Sequence, residues 1–358
     1  MQLRSVNTYL QLNSFYVFLD ESVYERKSTN EEARSAASNA LGNVTLGDIE
    51  HYVPFIVGRI SPKVNTNTTS NDTTKTEYTL LHSLKVVIAC RGGIETGGTS
   101  QSKTLSSLDE YVVVQPVPLG SSNIQSMLKT LIENSGSEEV GVRNVVAECL
   151  GKLALAEPHN VMPLLDDLFA NDDPLRRSTF LSVLKFAVMD LDENSLCAAD
   201  PSTDMYSLIK RSISTVSSAI VDTNVDVRRN AVLLITAVLS SYPDLIMDQI
   251  LPSGDNSARP NLMESLFSQL EVDQSLVRVV DLGPFKHTVD DGHDLRKSAY
   301  ECCAVIVEKL GSISNGIDMA EFVKSLPKGL ADTVRFFFIT ITLEVVIDCF
   351  PLSCELVH

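Results

Sequence analysis

The chain has 358 residues, of which 44% are hydrophobic and 21% are charged, a balance typical of a folded protein rather than a disordered one. Its formal net charge is −17, and this excess of carboxylates argues against binding to nucleic acid and favours a protein partner. The absence of Trp and the 6% aromatic content favour helices over a β-sandwich or barrel.

The N-terminal third is predicted to combine helices with two polar insertions. Residues 1–61 are predicted to be HEAT-type helices. Residues 62–77 are rich in Thr and Asn and are predicted to be a disordered insertion. A HEAT helix is expected over 78–90, followed by a Gly/Ser-rich insertion over 91–123. The glycines of that insertion do not predict a phosphate-binding loop, because no Gly-Lys-Ser/Thr follows them.

One pattern recurs along the chain: an acidic or polar residue, an apolar residue, an arginine, and then a helix with small and branched apolar residues at helical spacing. The marker arginines are Arg34, Arg143, Arg176, Arg228 and Arg296. The acidic or amide residue can cap the helix, whereas an arginine at a helix start opposes the helix dipole. We therefore expect these arginines to form a ladder with acidic groups of adjacent repeats.

Partner helices are predicted between the marked ones, at 159–170, 205–216 and 244–254. The spacing of the marked helices is irregular, but it brackets the roughly 40–47 residues of a HEAT repeat. HEAT repeats are accordingly predicted over 124–274 and again over 292–334. The predicted fold class is all-α, a HEAT-type α-solenoid (an ARM/HEAT superhelix), and a compact helical bundle is the alternative.

A polar cluster, GPFKHTVDDGHD at residues 283–294, interrupts this array. His287, His293 and three aspartates raise the possibility of a metal site or a catalytic acid/base pair. Gly-Pro and Asp-Gly turns argue against a helix here, and the acids lack EF-hand spacing. No nucleophile, metalloprotease, kinase or Walker motif accompanies the histidines. We therefore predict no metal, no cofactor, no small-molecule substrate and no enzymatic activity.

The same region predicts a β-hairpin over 275–291 that projects from the solenoid. Strand character lies at Leu276–Asp281 and Phe285–Val289, with Leu-Gly-Pro as the turn, and Asp294 is expected to cap the next helix. An isolated hairpin is marginal in water, so this one is expected to pack on its own helices or to meet a partner. The expected partner-contact residues are Leu276, Arg278, Val280, Leu282, Gly283, Pro284, Phe285, Lys286, His287 and Val289.

The cysteines and apolar segments predict an intracellular chain outside the membrane. Seven cysteines without a Cys-x-x-Cys motif favour free thiols over disulfides or zinc. Of Cys302 and Cys303, one is expected to be buried and one to lie at the rim, with a redox role as the alternative. His82 is interpreted as a core or helix-face residue. The N-terminus lacks a continuous apolar core and 335–350 carries two carboxylates, so we expect no membrane contact and a cytoplasmic or nuclear location.

Several stretches carry a family resemblance. GVRNVVAECLGKLAL (141–155), NVDVRRNAV (224–232) and above all GPFKHTVDDGHDLRKSAYECC (283–303) resemble the C-terminal part of the cullin-associated, neddylation-dissociated (CAND) proteins. SAASNALGNVTLGDIEHYVPFIV (35–57) and LLHSLKVVI (80–88) resemble the same proteins. Residues 283–292 are specific to that family rather than typical of HEAT repeats in general.

The resemblance runs from about residue 25 to about residue 334 and fades in 335–358, which is expected to be an atypical C-terminal tail. It implies a large HEAT solenoid, of which this chain is expected to be a fragment, that wraps cullin–RING scaffolds lacking the Nedd modification and exchanges the substrate receptors of ubiquitin ligases. In the family, the C-terminal portion clasps the cullin's N-terminal region. A β-hairpin, corresponding here to Leu276–Val289, competes with the Skp-type adaptor that carries an F-box protein. A generic HEAT-repeat scaffold with a different protein partner is the alternative.

Overall fold

Helices make up most of the computed structural model of this chain, which describes residues 31–60, 71–91, 119–191, 209–210, 212, 216–250, 262–281 and 286–310. The chain divides into two compact units, Met1–Glu157 and Pro158–His358.

The described part of the first unit is a two-layer array of helices. These are α1 (Glu31–Leu46), α2 (Ile49–Ile60), α3 (Asn71–Arg91), α4 (Ser121–Asn134) and α5 (Val140–Ala156). Helices α1, α3 and α5 pack side by side in one layer, and α2 packs on α4 in the other. Contacts between α1 and α2 and between α4 and α5 join the layers. Stacked helix pairs of this kind are the arrangement that a HEAT-type pattern predicts.

The first unit is closely packed where α1 meets α3. A Cβ built on Gly42 would lie 2.5 Å from the Val86 Cβ and 3.0 Å from the Ser83 carbonyl oxygen. Glycine in a helix interior is normally unfavourable, so its presence here reflects the close approach of the two helices. Between α3 and α5, Lys85 Nζ lies 2.8 Å from Glu148 Oε2, an ion pair that links two helices of the same layer.

The described part of the second unit contains helices and one hairpin. Its elements are α6 (Pro158–Phe169), α7 (Pro174–Asp190), α8 (Val225–Ser241), α9 (Met247–Ile250), α10 (Leu262–Ser268), β1 (Val277–Asp281), β2 (Lys286–Asp290) and α11 (His293–Leu310), with 3₁₀ turns at Pro243–Leu245 and Gln274–Leu276. Helix α8 packs between α7 and α11, which forms one layer, and α6 packs against α7.

Four helices begin with the same local pattern. The backbone N–H groups of Arg143, Arg177, Arg228 and Arg296 donate to the carbonyls of Glu139, Asp173, Asn224 and Gly292, respectively. Each arginine therefore occupies the same position, one turn into its helix. In α7 this residue is Arg177, so the sequence-based choice of Arg176 was wrong. Arg176 instead lies 3.7 Å from Asp173, the residue whose side chain caps the helix.

Two of these arginines form the predicted ladder. Arg177 Nη2 lies 3.1 Å from Asp222 Oδ2, and Arg228 Nη2 lies 3.3 Å from Asp273 Oδ2. Each acid lies 45 residues after its arginine, in the segment ahead of the next element. Arg143 Nη1 donates to two backbone carbonyls ahead of its own helix, at 2.7 and 3.0 Å, as Arg177 Nη1 also does ahead of α7. The ladder is thus confirmed for Arg177 and Arg228.

Element boundaries differ from the sequence-based ones at several places. Helix α3 includes residues 71–77, which had been assigned to the insertion 62–77, and α4 begins at Ser121, inside the expected insertion 91–123. In place of one helix over 244–254, the structure has a 3₁₀ turn followed by the short helix α9. Several predicted segments lie outside the described residues: 1–30 of the helices expected over 1–61, 61–70, 92–118, most of the helix expected over 205–216, 311–334 and the tail 335–358.

Candidate protein-contact hairpin

The two strands of the second unit form an antiparallel hairpin, as predicted. Its register pairs Val277 with Asp290, Arg278 with Val289, Val279 with Thr288, Val280 with His287, and Asp281 with Lys286. The turn between the strands, with the predicted contact residues Leu282, Gly283, Pro284 and Phe285, lies outside the described residues.

The hairpin is exposed along its length. None of the ten strand residues is buried, and the half-buried ones are Val277, Val280, Val289 and Asp290. Among the described elements, each strand makes its extensive contact with the other strand rather than with a helix. The hairpin is therefore attached to the helices mainly where it joins them. We call this junction, residues 273–276 and 290–294, the hairpin root.

The two ends of the root are tied directly to each other. The Asp291 N–H donates to the Leu276 carbonyl at 3.1 Å. The Asp291 carboxylate accepts two hydrogen bonds from the Arg278 guanidinium, at 2.7 and 3.2 Å. These bonds lower the pKa of Asp291 and raise the pKa of Arg278. The pairing closes the base of the hairpin at its exposed surface.

A nearly buried ion pair joins β2 to the following helix. Arg296 Nη2 of α11 lies 2.7 Å from Asp290 Oδ2, and the Arg296 side chain is only 3% exposed. The other oxygen of Asp290 accepts the Gly292 N–H at 2.9 Å. A Cβ on Gly292 would approach the Leu276 side chain to 3.0 Å, so glycine permits the close packing of the root. One carboxylate thus organises both the turn out of β2 and the start of α11.

Asp294 has a different role from the predicted one. Helix α11 begins at His293, which places Asp294 in the first turn rather than at the cap, where a carboxylate still favours the helix dipole. Asp294 Oδ2 lies 3.7 Å from Arg229 Nη1 of α8. The side chain therefore links the exit of the hairpin to a neighbouring helix.

The entry to β1 is held by Asp273. One of its oxygens accepts hydrogen bonds from the Ser275 N–H at 3.0 Å and the Ser275 hydroxyl at 2.6 Å. The other lies 3.3 Å from both terminal nitrogens of Arg228. The bonds from Ser275 first, and then those from Arg228, lower the pKa of Asp273. A charged carboxylate at this position is therefore favoured at neutral pH.

The structure places the described contact residues on one exposed ribbon. Arg278, Lys286 and His287 are exposed, and Leu276, Val280 and Val289 are half-buried.

One exposed residue was missed in the sequence. Val279, which pairs with Thr288, is 63% exposed and is the most exposed large apolar side chain of the described strands. Strand alternation alone separates Val279 from the Arg278 face, but it does not tell which face the helices leave uncovered. The structural role of Asp273 was also missed, and Asp290 was considered in the sequence only as a candidate metal ligand or catalytic acid.

The described residues offer neither a metal-binding cluster nor a membrane-spanning helix. They contain no group of three or more His, Cys, Asp or Glu side chains arranged to hold a metal ion. No helix among them is long and apolar enough to cross a membrane.

The vicinal cysteines are both buried. The sequence placed one of Cys302 and Cys303 at the rim, but their exposures are 0% and 2%. Burial raises the pKa of Cys302 to about 12 and also raises the pKa of Cys303, so both thiols stay protonated at neutral pH. His82 is half-buried beside Tyr78, in keeping with a helix-face residue, and burial lowers its pKa.

Sequence comparison relates the chain to one group of proteins. The family model described as "TATA-binding protein interacting (TIP20)" matches residues 256–349. The chain is 33% identical over 317 residues to the "Cullin-associated NEDD8-dissociated protein 1" of Dictyostelium discoideum, covering 88% of this chain and 21% of that protein. It is 33% identical over 307 residues to the protein of that name in Arabidopsis thaliana, covering 86% of this chain and 21% of that protein.

A third relative is named as a part of such a protein. The "Cullin-associated NEDD8-dissociated protein 1, C-terminal part" of Emericella nidulans is 26% identical over 290 residues, covering 80% of this chain and 23% of that protein. The chain thus spans about a fifth of the length of the curated relatives it matches.

Structural comparison concerns the fold. The crystal structure of Kap121p aligns with a TM-score of 0.52 at 11% identity, covering 94% of this chain and 29% of that one. With the layered helices and the single described hairpin, this confirms the predicted fold class, an all-α HEAT-type α-solenoid carrying a β-hairpin.

Proposed function

Because the chain is related to the cullin-associated NEDD8-dissociated proteins, we propose that it is a non-enzymatic scaffold that binds the N-terminal region of a cullin in a cullin–RING complex. It acts as an exchange factor for substrate receptors, and its hairpin competes with the Skp-type adaptor that carries an F-box protein. The names of the relatives support the cullin as partner. The exposed hairpin supports the competition.

The exposure of the hairpin is the observation that carries this proposal. A two-stranded hairpin is marginal in water, because it buries little apolar surface. Here the strands bury no residue, and Val279 is 63% exposed. Four ion pairs nevertheless hold the root in a defined geometry. A rigidly rooted, uncovered ribbon is expected of an element that meets another protein, since pre-organisation lowers the entropy lost on binding.

Competition through a hairpin explains exchange without catalysis. The helices bind the cullin, while the hairpin occupies space that the adaptor also requires. This chain and the adaptor then each lower the affinity of the other for the cullin by the same factor, typically about 5–150-fold for coupled sites. A complex holding both is short-lived, so that one receptor is replaced by another.

The test removes the hairpin and, with it, the pair between Arg278 and Asp291, but keeps the root residues and their other three ion pairs. Residues 278–289 are replaced by Asn-Gly, a two-residue turn suited to join Val277 and Asp290, which are already cross-strand partners. The full chain and this variant are compared for binding to an immobilised, unmodified cullin N-terminal domain and for the dissociation rate of bound adaptor. Lys129→Ala, on the exposed face of α4 in the first unit, is the control.

We expect the hairpin-less variant to keep its circular dichroism spectrum and its binding to the cullin, but to lose the acceleration of adaptor release. Lys129→Ala is expected to behave as the parent chain. If the parent chain binds no cullin, the scaffold has a different protein partner. If adaptor release is accelerated equally by the variant, the hairpin is not the competing element.

A further inference from the structure

Two neighbouring arginines of α8 reach the two ends of the hairpin root. Arg228 lies 3.3 Å from Asp273, just ahead of β1, and Arg229 lies 3.7 Å from Asp294, just after β2. Consecutive residues on one helix therefore contact the chain on both sides of the hairpin. The strands themselves make no extensive contact with any described helix, so these two links, together with the pair between Asp290 and Arg296, connect the hairpin to the body of its unit.

The preceding repeat contains the arginine equivalent to Arg228, and it makes the equivalent ion pair. Arg177 pairs with Asp222 at 3.1 Å, and Asp222 also accepts the N–H of Asn224 at 2.8 Å, directly ahead of α8. Asp273 is the equivalent acid: it takes the arginine of the preceding marked helix and accepts the N–H of the residue two positions on. After Asp222 a helix begins, whereas after Asp273 the hairpin begins.

The hairpin is thus inserted directly behind an acid of the ladder. A second acid, Asp290, is the last residue of β2 and pairs with Arg296 of α11 at 2.7 Å. An ion pair that elsewhere joins a helix to the segment ahead of the next helix here joins a helix to the segment ahead of the hairpin. Its position at the root, rather than along the strands, means that it controls the direction of the strands more than their pairing.

We propose that Arg228 and Arg229 are positioning residues that fix the direction of the hairpin relative to α8, so that it meets its partner in one orientation. The partner contact rests on the proposed function, whereas the positioning does not. Arg228 has the larger effect, because its side chain is 13% exposed and that of Arg229 is 43% exposed. Solvent and salt screen the exposed pair more strongly than the shielded one.

The test measures amide hydrogen exchange at the root in the full chain without any partner. The reporter is the Asp291 N–H, which donates to Leu276 across the root. Arg228→Gln removes the charge, Arg228→Lys keeps it, and Arg177→Gln is the matched control that breaks the equivalent ladder pair one repeat earlier. We expect exchange at Asp291 to rise about tenfold in Arg228→Gln, because the charged hydrogen bonds from Arg228 to Asp273 are lost. Arg228→Lys is expected to recover part of this, and Arg177→Gln to leave exchange at Asp291 unchanged.

Equal exchange in Arg228→Gln and Arg177→Gln, whether fast or slow, would overturn the positioning role. If Arg228→Gln does not fold, Arg229→Gln provides the same comparison with a smaller expected increase, because that residue is more exposed. A cullin assay then separates the two proposals. Arg228→Gln is expected to bind cullin but accelerate adaptor release severalfold less than Arg177→Gln. Unchanged release by both variants would refute the orientation effect, while absence of cullin binding by the parent chain would refute only the proposed function.

Discussion

The close approach of α1 and α3 makes Gly42→Ala a sharp test of the packing of the first unit. The new Cβ would lie 2.5 Å from the Val86 Cβ and 2.7 Å from its Cγ1. Val86 is β-branched and has little rotamer freedom, and the third neighbour is the Ser83 backbone carbonyl, so neither can move aside without shifting α3. The helices must therefore separate.

The expected cost follows from two opposing terms. Alanine improves helix propensity over glycine by about 1 kcal/mol, whereas forcing a methyl into a closely packed contact costs about 1–3 kcal/mol. Gly42→Ala is thus expected to lower the free energy of unfolding by up to about 2 kcal/mol. Gly58→Ala in α2 is the matched control, because its Cβ would meet nothing within 4 Å. It is expected to raise the free energy of unfolding by about 0.5–1 kcal/mol.

Urea unfolding followed by circular dichroism distinguishes the two substitutions. The same chemical change should shift the unfolding midpoint of the first unit in opposite directions. A Gly42→Ala variant as stable as Gly58→Ala would show that α1 and α3 do not approach each other as closely as described.

Three further outcomes follow from the described contacts. Asp290→Asn is expected to lower the free energy of unfolding by about 1–2 kcal/mol in thermal denaturation, because it leaves the nearly buried Arg296 without its carboxylate. Asp291→Asn, at the exposed pair with Arg278, should leave the free energy of unfolding almost unchanged. Equal effects of the two substitutions would contradict the difference in burial. Burial lowers the pKa of His82 below its ordinary value of 6.5, so the unfolded chain takes up a proton at a higher pH than the folded chain does. The contribution of His82 to the free energy of unfolding should therefore be full above pH 6.5 and fall as the pH drops below it. His82→Gln should reduce the difference in the free energy of unfolding between pH 7.5 and pH 5, as measured by urea unfolding. Iodoacetamide at pH 8 should leave Cys149, Cys302 and Cys303 unmodified until the chain is unfolded, as read by mass spectrometry of the peptides, because all three thiols are buried and their pKa values are raised.

The sequence predicted the ladder because the position of each arginine near the start of its helix can be read from neighbouring residues. An arginine where the helix dipole disfavours it needs an acidic partner, and Arg177 and Arg228 each have one. The choice of Arg176 over Arg177 was wrong because both follow Asp173 and Pro174. The other three arginines lie four residues after the residue whose carbonyl accepts their N–H, and the same count from Asp173 selects Arg177.

The position of the hairpin in the sequence could be predicted, but the burial of its side chains could not. β-branched residues on both sides of Gly-Pro predict two strands, and the structure pairs them in a register that runs from Val277 with Asp290 to Asp281 with Lys286. Which face remains uncovered depends on helices distant in sequence, so the exposure of Val279 could not be derived from alternation. The burial of both Cys302 and Cys303 has a similar cause. Helix α11 buries a broad face at residues 299, 300, 302, 303, 306 and 307, wider than a single stripe of the helical repeat.

Asp273 ahead of β1 and Asp290 at the end of β2 define an attachment site for foreign sequence. Asp273 pairs with Arg228 of α8, and Asp290 pairs with Arg296 of α11. Extra residues between the two acids therefore leave both ion pairs in place. The same scheme can be copied by design. A binding loop placed after Asp222 and closed by a second aspartate ahead of Asn224 would leave the pair with Arg177 intact and retain the cap of α8. Grafted specificity could then be added to this array one repeat at a time.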